Sequence, residues 1–129
     1  MKILVIDGQG GGLGRALIQR LCEAFPGQTI YALGTNALAT SAMLKAGAHA
    51  GATGVNAIIC QCRDAGLILG PTGLLLADAM LGEISPAIKI LIPSDRCSLR
   101  VAGLKSLSLD DAINDAVSKA EALISGEAI

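Results

Sequence analysis

The residues best placed to do chemistry are five glycines within seven positions, Gly8, Gly10, Gly11, Gly12 and Gly14, with Gln9 among them and Arg15 directly after. They follow an apolar run of strand length, Ile3-Leu4-Val5-Ile6, and from Leu13 onward the apolar positions take helical spacing. Glycines let backbone N–H groups approach an anion closely, and a helix beginning there directs its partly positive end into the same space. The chemistry expected of Gly8, Gln9, Gly10, Gly11, Gly12 and Gly14 is therefore the binding of a small phosphate-bearing ligand. Arg15 adds charge where it turns toward that ligand.

The spacing narrows the class of ligand. GxGxxG fails, because its third glycine would fall on Leu13. Gly8, Gly12 and Gly14 instead give GxxxGxG, and Asp7 to Leu17 resembles the nucleotide loop of short-chain dehydrogenases. Dehydrogenase chemistry of that kind is not supported, since Tyr31, the sole tyrosine, has no lysine four residues on. A phosphate-binding P-loop requires a lysine and a hydroxyl where this chain has Arg15 and Ala16, so GGGLGR is at most a degenerate form. The same turn would also suit close packing of a helix on a sheet with no ligand at all.

Thr35, Asn36 and Thr72 stand in two further turns and would orient the remainder of a nucleotide by hydrogen bonds; helix capping suits the same three residues. In a dinucleotide fold an acid at the end of the second strand holds the ribose hydroxyls. Gly34-Thr35-Asn36 offers none, which weakens NAD as the cofactor and leaves a phosphorylated ribose, as in NADP, or another nucleotide. A separate candidate is Cys97, next to Arg96 in a polar loop, where a neighbouring cation favours the thiolate of a thiol enzyme. His49, the only histidine, is not near it in sequence. No metal is expected: there is no C-x-x-C, and Cys60 and Cys62 fall about 160° apart around a helix axis.

These residues must be positioned by alternating strands and helices. Strands are expected at Ile3 to Ile6, Thr29 to Leu33, Leu67 to Leu69 and Ile88 to Ile92, with a fifth edge strand at Leu99 to Ala102. Helices are expected from Leu13 to Ala24, after Asn36 to Lys45, over the stripe Val55, Ile58, Ile59, Cys62 and Ala65, over Leu74 to Leu81, and from Ser108 to Gly126. His49 to Gly54 reads as a Gly/Ala loop. The alternation argues a single Rossmann-like domain over residues 1–129, α/β in class, with a three-layer α/β/α arrangement and a mostly parallel sheet of about five strands. In such folds ligands sit beyond the C-terminal strand ends, here Gly8 to Gly14, Gly34 to Asn36, Gly70 to Gly73 and Pro93 to Cys97.

Composition excludes several classes. A chain of 129 residues that is 52% hydrophobic and 16% charged buries a core. A net charge of −1 and 2% aromatics leave neither a basic footprint nor stacking rings for nucleic acid. The apolar start is too short for a signal peptide, and Ala65 to Leu81 is broken by Gly70-Pro71 and carries Asp78, so no membrane span is expected. The expectation is a cytoplasmic protein with reduced cysteines. A Leu74 to Leu81 helix, apolar nearly all round, must be covered either within the chain, by the C-terminal helix or the Leu99 to Ala102 segment, or by a second copy. The second copy is the expectation, which predicts a homodimer and allows a non-catalytic sensor or scaffold.

The segments IDGQGGGLG, GTNALATSAMLKAGA, GATGVNAI, GPTGLLLADAMLGEISP and ILIPSDRC together resemble a family of short bacterial proteins, found mainly in Firmicutes, defined by a domain of unknown function. The likeness runs from Met1 to about Gly103. It implies a single-domain protein of this size and brings no activity. In that family a lysine is common where Arg15 stands, and the interval from the GEISP block to the ILIP strand is longer than the Pro86-to-Ile88 link of this chain. So short a link suits an edge strand of opposite direction.

Overall fold

Ile3, Leu4, Val5 and Ile6 are all fully buried. Successive strand residues point to opposite faces, so a strand that buries all of them must be covered on both sides. The strand is β1 (Lys2–Asp7), at the centre of the molecule. A computed structural model of the chain describes residues 1–84 and 108–126. In order it gives β1, α1 (Gly12–Ala24), β2 (Thr29–Gly34), α2 (Ala37–Lys45), β3 (Ala50–Thr53), α3 (Val55–Cys62), β4 (Leu67–Leu69), a 3₁₀ turn at Thr72–Leu75 and α4 (Leu109–Ser125). The expected strands Ile88 to Ile92 and Leu99 to Ala102, and the loop holding Cys97, lie outside the described residues.

The described strands form one parallel sheet in the order β3-β2-β1-β4. Ile3 and Val5 pack with Leu17, Ile18 and Leu21 of α1, Met43 of α2, and Ile113, Val117 and Ala120 of α4. Leu4 and Ile6 pack with Leu33, Ile58 of α3, Leu74 and Ile84. Each such side chain contributes about 1.5–3 kcal/mol by leaving water, so β1 is the least replaceable strand. Caps match the sequence signals at two helices. The Asn36 side chain accepts the Ala39 N–H at the start of α2, and Ser108 accepts the Asp111 N–H at the start of α4. Gly126, at φ 78, stops α4 in the left-handed conformation. Among the described residues, no helix is long and apolar enough to cross a membrane.

Among the described residues the sheet has four strands, and the two further strands expected after β4 lie outside them. Two expectations are corrected. His49 to Gly54 is not all loop: Ala50–Thr53 is the edge strand β3, paired with β2 from Tyr31↔Ala50 to Gly34↔Thr53. Its small side chains show no apolar alternation, and a Cβ at Gly51 would stand 3.0 Å from Leu44, so their smallness lets α2 lie close. Leu74 to Leu81 is no α-helix. After the 3₁₀ turn the chain passes through left-handed residues Asp78 (φ 62), Met80 (φ 57) and Leu81 (φ 60), with Gly82 at φ 89. An isolated run of eight residues is short for a helix. Here Asp78 N–H donates to Ile84 O (2.6 Å) and Ile84 is buried, which turns the chain back on itself.

Candidate functional site

The glycine turn is fastened by the residue before it. Asp7, the last residue of β1, is buried, and its carboxylate accepts the N–H of Gly8 (2.8 Å) and of Gly14 (2.6 Å). One side chain thus ties the exit of the strand to the first turn of α1. Between them Gly11 N–H donates to Gly8 O at 2.9 Å, and Gln9 (φ 48) and Gly11 (φ 72) both take the left-handed conformation that turns successive N–H groups toward one side. The glycines are not equivalent. A Cβ at Gly11 would lie 2.8 Å from the Ala39 Cα, and one at Gly14 would lie 2.5 Å from the Met43 sulfur. Gly10 and Gly12 face open space. The N–H groups of Gly12 and Leu13, in the first turn of α1, meet no acceptor among the described residues.

Parallel pairing of Asp7 with Gly34 sets Thr35 beside Gly8, and Thr35 N–H donates to Asp7 O at 3.0 Å. Into this corner comes Glu83. Its carboxylate accepts the Gln9 N–H (2.8 Å), the Thr35 hydroxyl, and the Asn36 side-chain amide at 3.3 and 3.4 Å. Asn36 also donates to Gln9 O at 2.9 Å, so it joins the two loops while capping α2. The Thr35 hydrogen bond foremost, then the Gln9 N–H, hold the Glu83 carboxyl below its ordinary 4.5, against the opposing effect of burial. Gly8 makes room for this: a Cβ there would overlap the Glu83 carboxylate and stand 2.9 Å from Met80.

The structure therefore brings Gly8, Gln9, Thr35 and Asn36 together, with Gly10 and Gly12 open in the same turn. Arg15 instead lines a groove of ≈ 510 Å³ between α1 and α2 with Gln19, Leu38, Ser41 and Lys45. Thr72 is exposed at the start of the 3₁₀ turn and supplies no cap. Cys97 lies outside the described residues. His49 sits at the other end of the sheet, where its Nδ1 accepts the Ile30 N–H at 3.1 Å. Ile30 is four residues before Gly34, about 13 Å along the strand, so His49 serves no chemistry at the glycine turn. Burial and then Glu23 push the Cys22 thiol up, away from the thiolate.

Sequence reading missed Glu83 and the fastening role of Asp7. The available signals were a lone acid between Asp78 and Asp95 in an otherwise apolar stretch, and an acid closing an apolar strand.

A parallel α/β sheet with a glycine turn at the C-terminal end of its first strand, and polar donors from the adjoining strand converging beside it, defines the class to which this molecule belongs. Within it, the chain is a member of the DUF3842 family, a domain of unknown function whose family model matches residues 2–125. The family resemblance carried by IDGQGGGLG and the later blocks agrees with this membership, and the match runs on through α4. No curated protein and no solved structure matches the chain.

Proposed function

We propose that the chain binds a small phosphate-bearing ligand, a nucleotide or dinucleotide, on the glycine turn of a Rossmann-like, three-layer domain. The observation that carries the proposal is the turn itself. Asp7 holds it closed from below, while the N–H groups of Gly12 and Leu13 and the space above Gly10 and Gly12 stay available to an anion. Thr35 and Asn36 stand at its side, with their donors engaged by Glu83 and Gln9 O. This is the C-terminal edge of the sheet, where β4 lies on the opposite side of β1 from β2, the kind of crevice in which open α/β sheets take ligands.

The test is thermal unfolding of the full chain with ADP, NAD⁺ or pyrophosphate at millimolar concentration. A ligand at 100 times its Kd stabilises by about 2.7 kcal/mol, so a clear rise in Tm is expected. Gly12→Val should abolish the rise without lowering the ligand-free Tm, because a side chain at Gly12 meets nothing but the proposed ligand space. Unchanged Tm with all three compounds overturns the proposal.

A second proposal, a homodimer, rests on the segment after β4. Leu76 is 63% and Leu81 96% exposed, and among the described residues nothing covers either.

A further inference from the structure

The carboxylate missing from the end of β2 in the sequence is present there in the fold. Glu83, 48 residues after Thr35, places its side chain against Thr35 and Asn36, immediately beyond Gly34. Its Oε2 is heavily used, accepting from Gln9 N–H, the Thr35 hydroxyl and Asn36. Among the described residues its Oε1 receives only the 3.4 Å approach of the Asn36 amide. A carboxylate oxygen has two acceptor positions, so Oε1 retains one for a hydroxyl donor.

Glu83 touches Gln9, Thr35 and Asn36, whereas the open N–H groups are those of Gly12 and Leu13. A phosphate on the first turn of α1 and a ribose hydroxyl on Glu83 would thus be taken side by side. We propose that Glu83 is the acceptor for the ribose 2′-hydroxyl of the bound nucleotide, and that the site selects ligands in which that hydroxyl carries no phosphate. The inference rests on the nucleotide reading above and adds the residue and the ligand class. A 2′-phosphate would set a second anion against an ionised carboxylate, and among the described residues no cation pairs with Glu83.

Isothermal titration of the full chain with pyrophosphate, ADP, 2′-deoxy-ADP and 2′-phosphorylated ADP decides the matter without any variant. Charge-assisted hydrogen bonds of this kind predict that ADP binds at least about tenfold more tightly than either 2′-modified form. Glu83→Gln should then remove the discrimination, bringing ADP and 2′-deoxy-ADP within about twofold of each other. Equal affinity for ADP and 2′-deoxy-ADP overturns the role of Glu83 while pyrophosphate binding keeps the phosphate site. A preference for ADP over 2′-deoxy-ADP that survives Glu83→Gln also overturns it, since another group must then read the hydroxyl. Binding of neither pyrophosphate nor ADP removes both proposals together.

Discussion

The two segments that meet at Glu83 are built in opposite ways. The glycine turn spans Asp7 to Gly14, is closed by hydrogen bonds between near neighbours in sequence, and has its left-handed positions at Gln9 and Gly11. The segment from Leu76 to Ile84 takes three left-handed conformations at Asp78, Met80 and Leu81, residues with a Cβ that disfavours them by roughly 1–2 kcal/mol each. Local hydrogen bonds such as Asp78 N–H to Ile84 O shape it, and its ties to the rest of the molecule are long-range: Ile84 in the core and Glu83 on Gln9, Thr35 and Asn36. The first segment has one such left-handed residue with a Cβ, Gln9, and is otherwise prepared by its own glycines. The second is held in an unfavourable shape by what it touches, which makes it the more easily moved of the two.

The sharpest way to break the contrast is at the glycines of the turn. Gly11→Val combines a φ of 72 with a Cβ 2.8 Å from the backbone of Ala39. Left-handed strain alone costs about 1–3 kcal/mol, and the backbone contact adds to it, so a loss above about 3 kcal/mol is expected in urea unfolding. Gly12→Ala, one residue on and facing open space, should be neutral or slightly stabilising. Equal losses at the two positions would contradict the account of the turn.

Asp7 comes next. Asp7→Asn keeps the shape but leaves one acceptor where two buried N–H groups need one each, and sets an NH₂ against the other. The expected loss is about 1–3 kcal/mol. An unchanged midpoint would show that Gly8 and Gly14 find other acceptors.

Legibility in the sequence followed the same division. β1, α1, β2 and α2 were readable because apolar periodicity, the glycine turn and the Asn36 cap are written within a few residues of where they act. The family was readable too, from blocks such as GTNALAT and GATGVNAI. β3 was not, since Ala50-Gly51-Ala52-Thr53 owes its strand conformation to pairing with β2 and to small size under α2. Nor was the helix-like apolar run after Thr72 a helix, because Glu83 and Ile84 draw it to the sheet edge through contacts that no local pattern contains. Of the residues that converge at the candidate site, the turn, Thr35 and Asn36 were legible, while Glu83 is joined to them across 48 positions of chain.

The Glu83 anchor should show as a pH-dependent term in stability. Its folded pKa lies below the ordinary 4.5, so its contribution is fully present above 4.5 and is lost as pH falls through the lower folded value. Asp64, paired with Lys2 at 2.7 Å, is lowered as well and titrates in the same direction. Comparing wild type with Glu83→Gln cancels Asp64. The gap in Tm between the two proteins should be steady from pH 7 to about 5 and close on further acidification. A gap that persists undiminished at low pH would mean that Glu83 acts by packing rather than by charge.

The smallest effect is expected at Leu81, and it separates strain from assembly. Leu81 is 96% exposed at φ 60, so among the described residues it gains almost no burial in return for a disfavoured backbone. In a monomer, Leu81→Gly should relieve the left-handed strain and, after the extra entropy of glycine in the unfolded chain, raise stability by up to about 1 kcal/mol. In a homodimer that covers Leu81 and Leu76, the same change removes buried leucine surface worth about 1.5–3 kcal/mol per side chain, and stability falls instead. Urea unfolding at two protein concentrations reads the sign. Sedimentation equilibrium of the wild type supplies the independent check: a single monomeric species across micromolar concentrations sinks the dimer, whereas a dimer dispersed by Leu81→Asp assigns this segment to its interface.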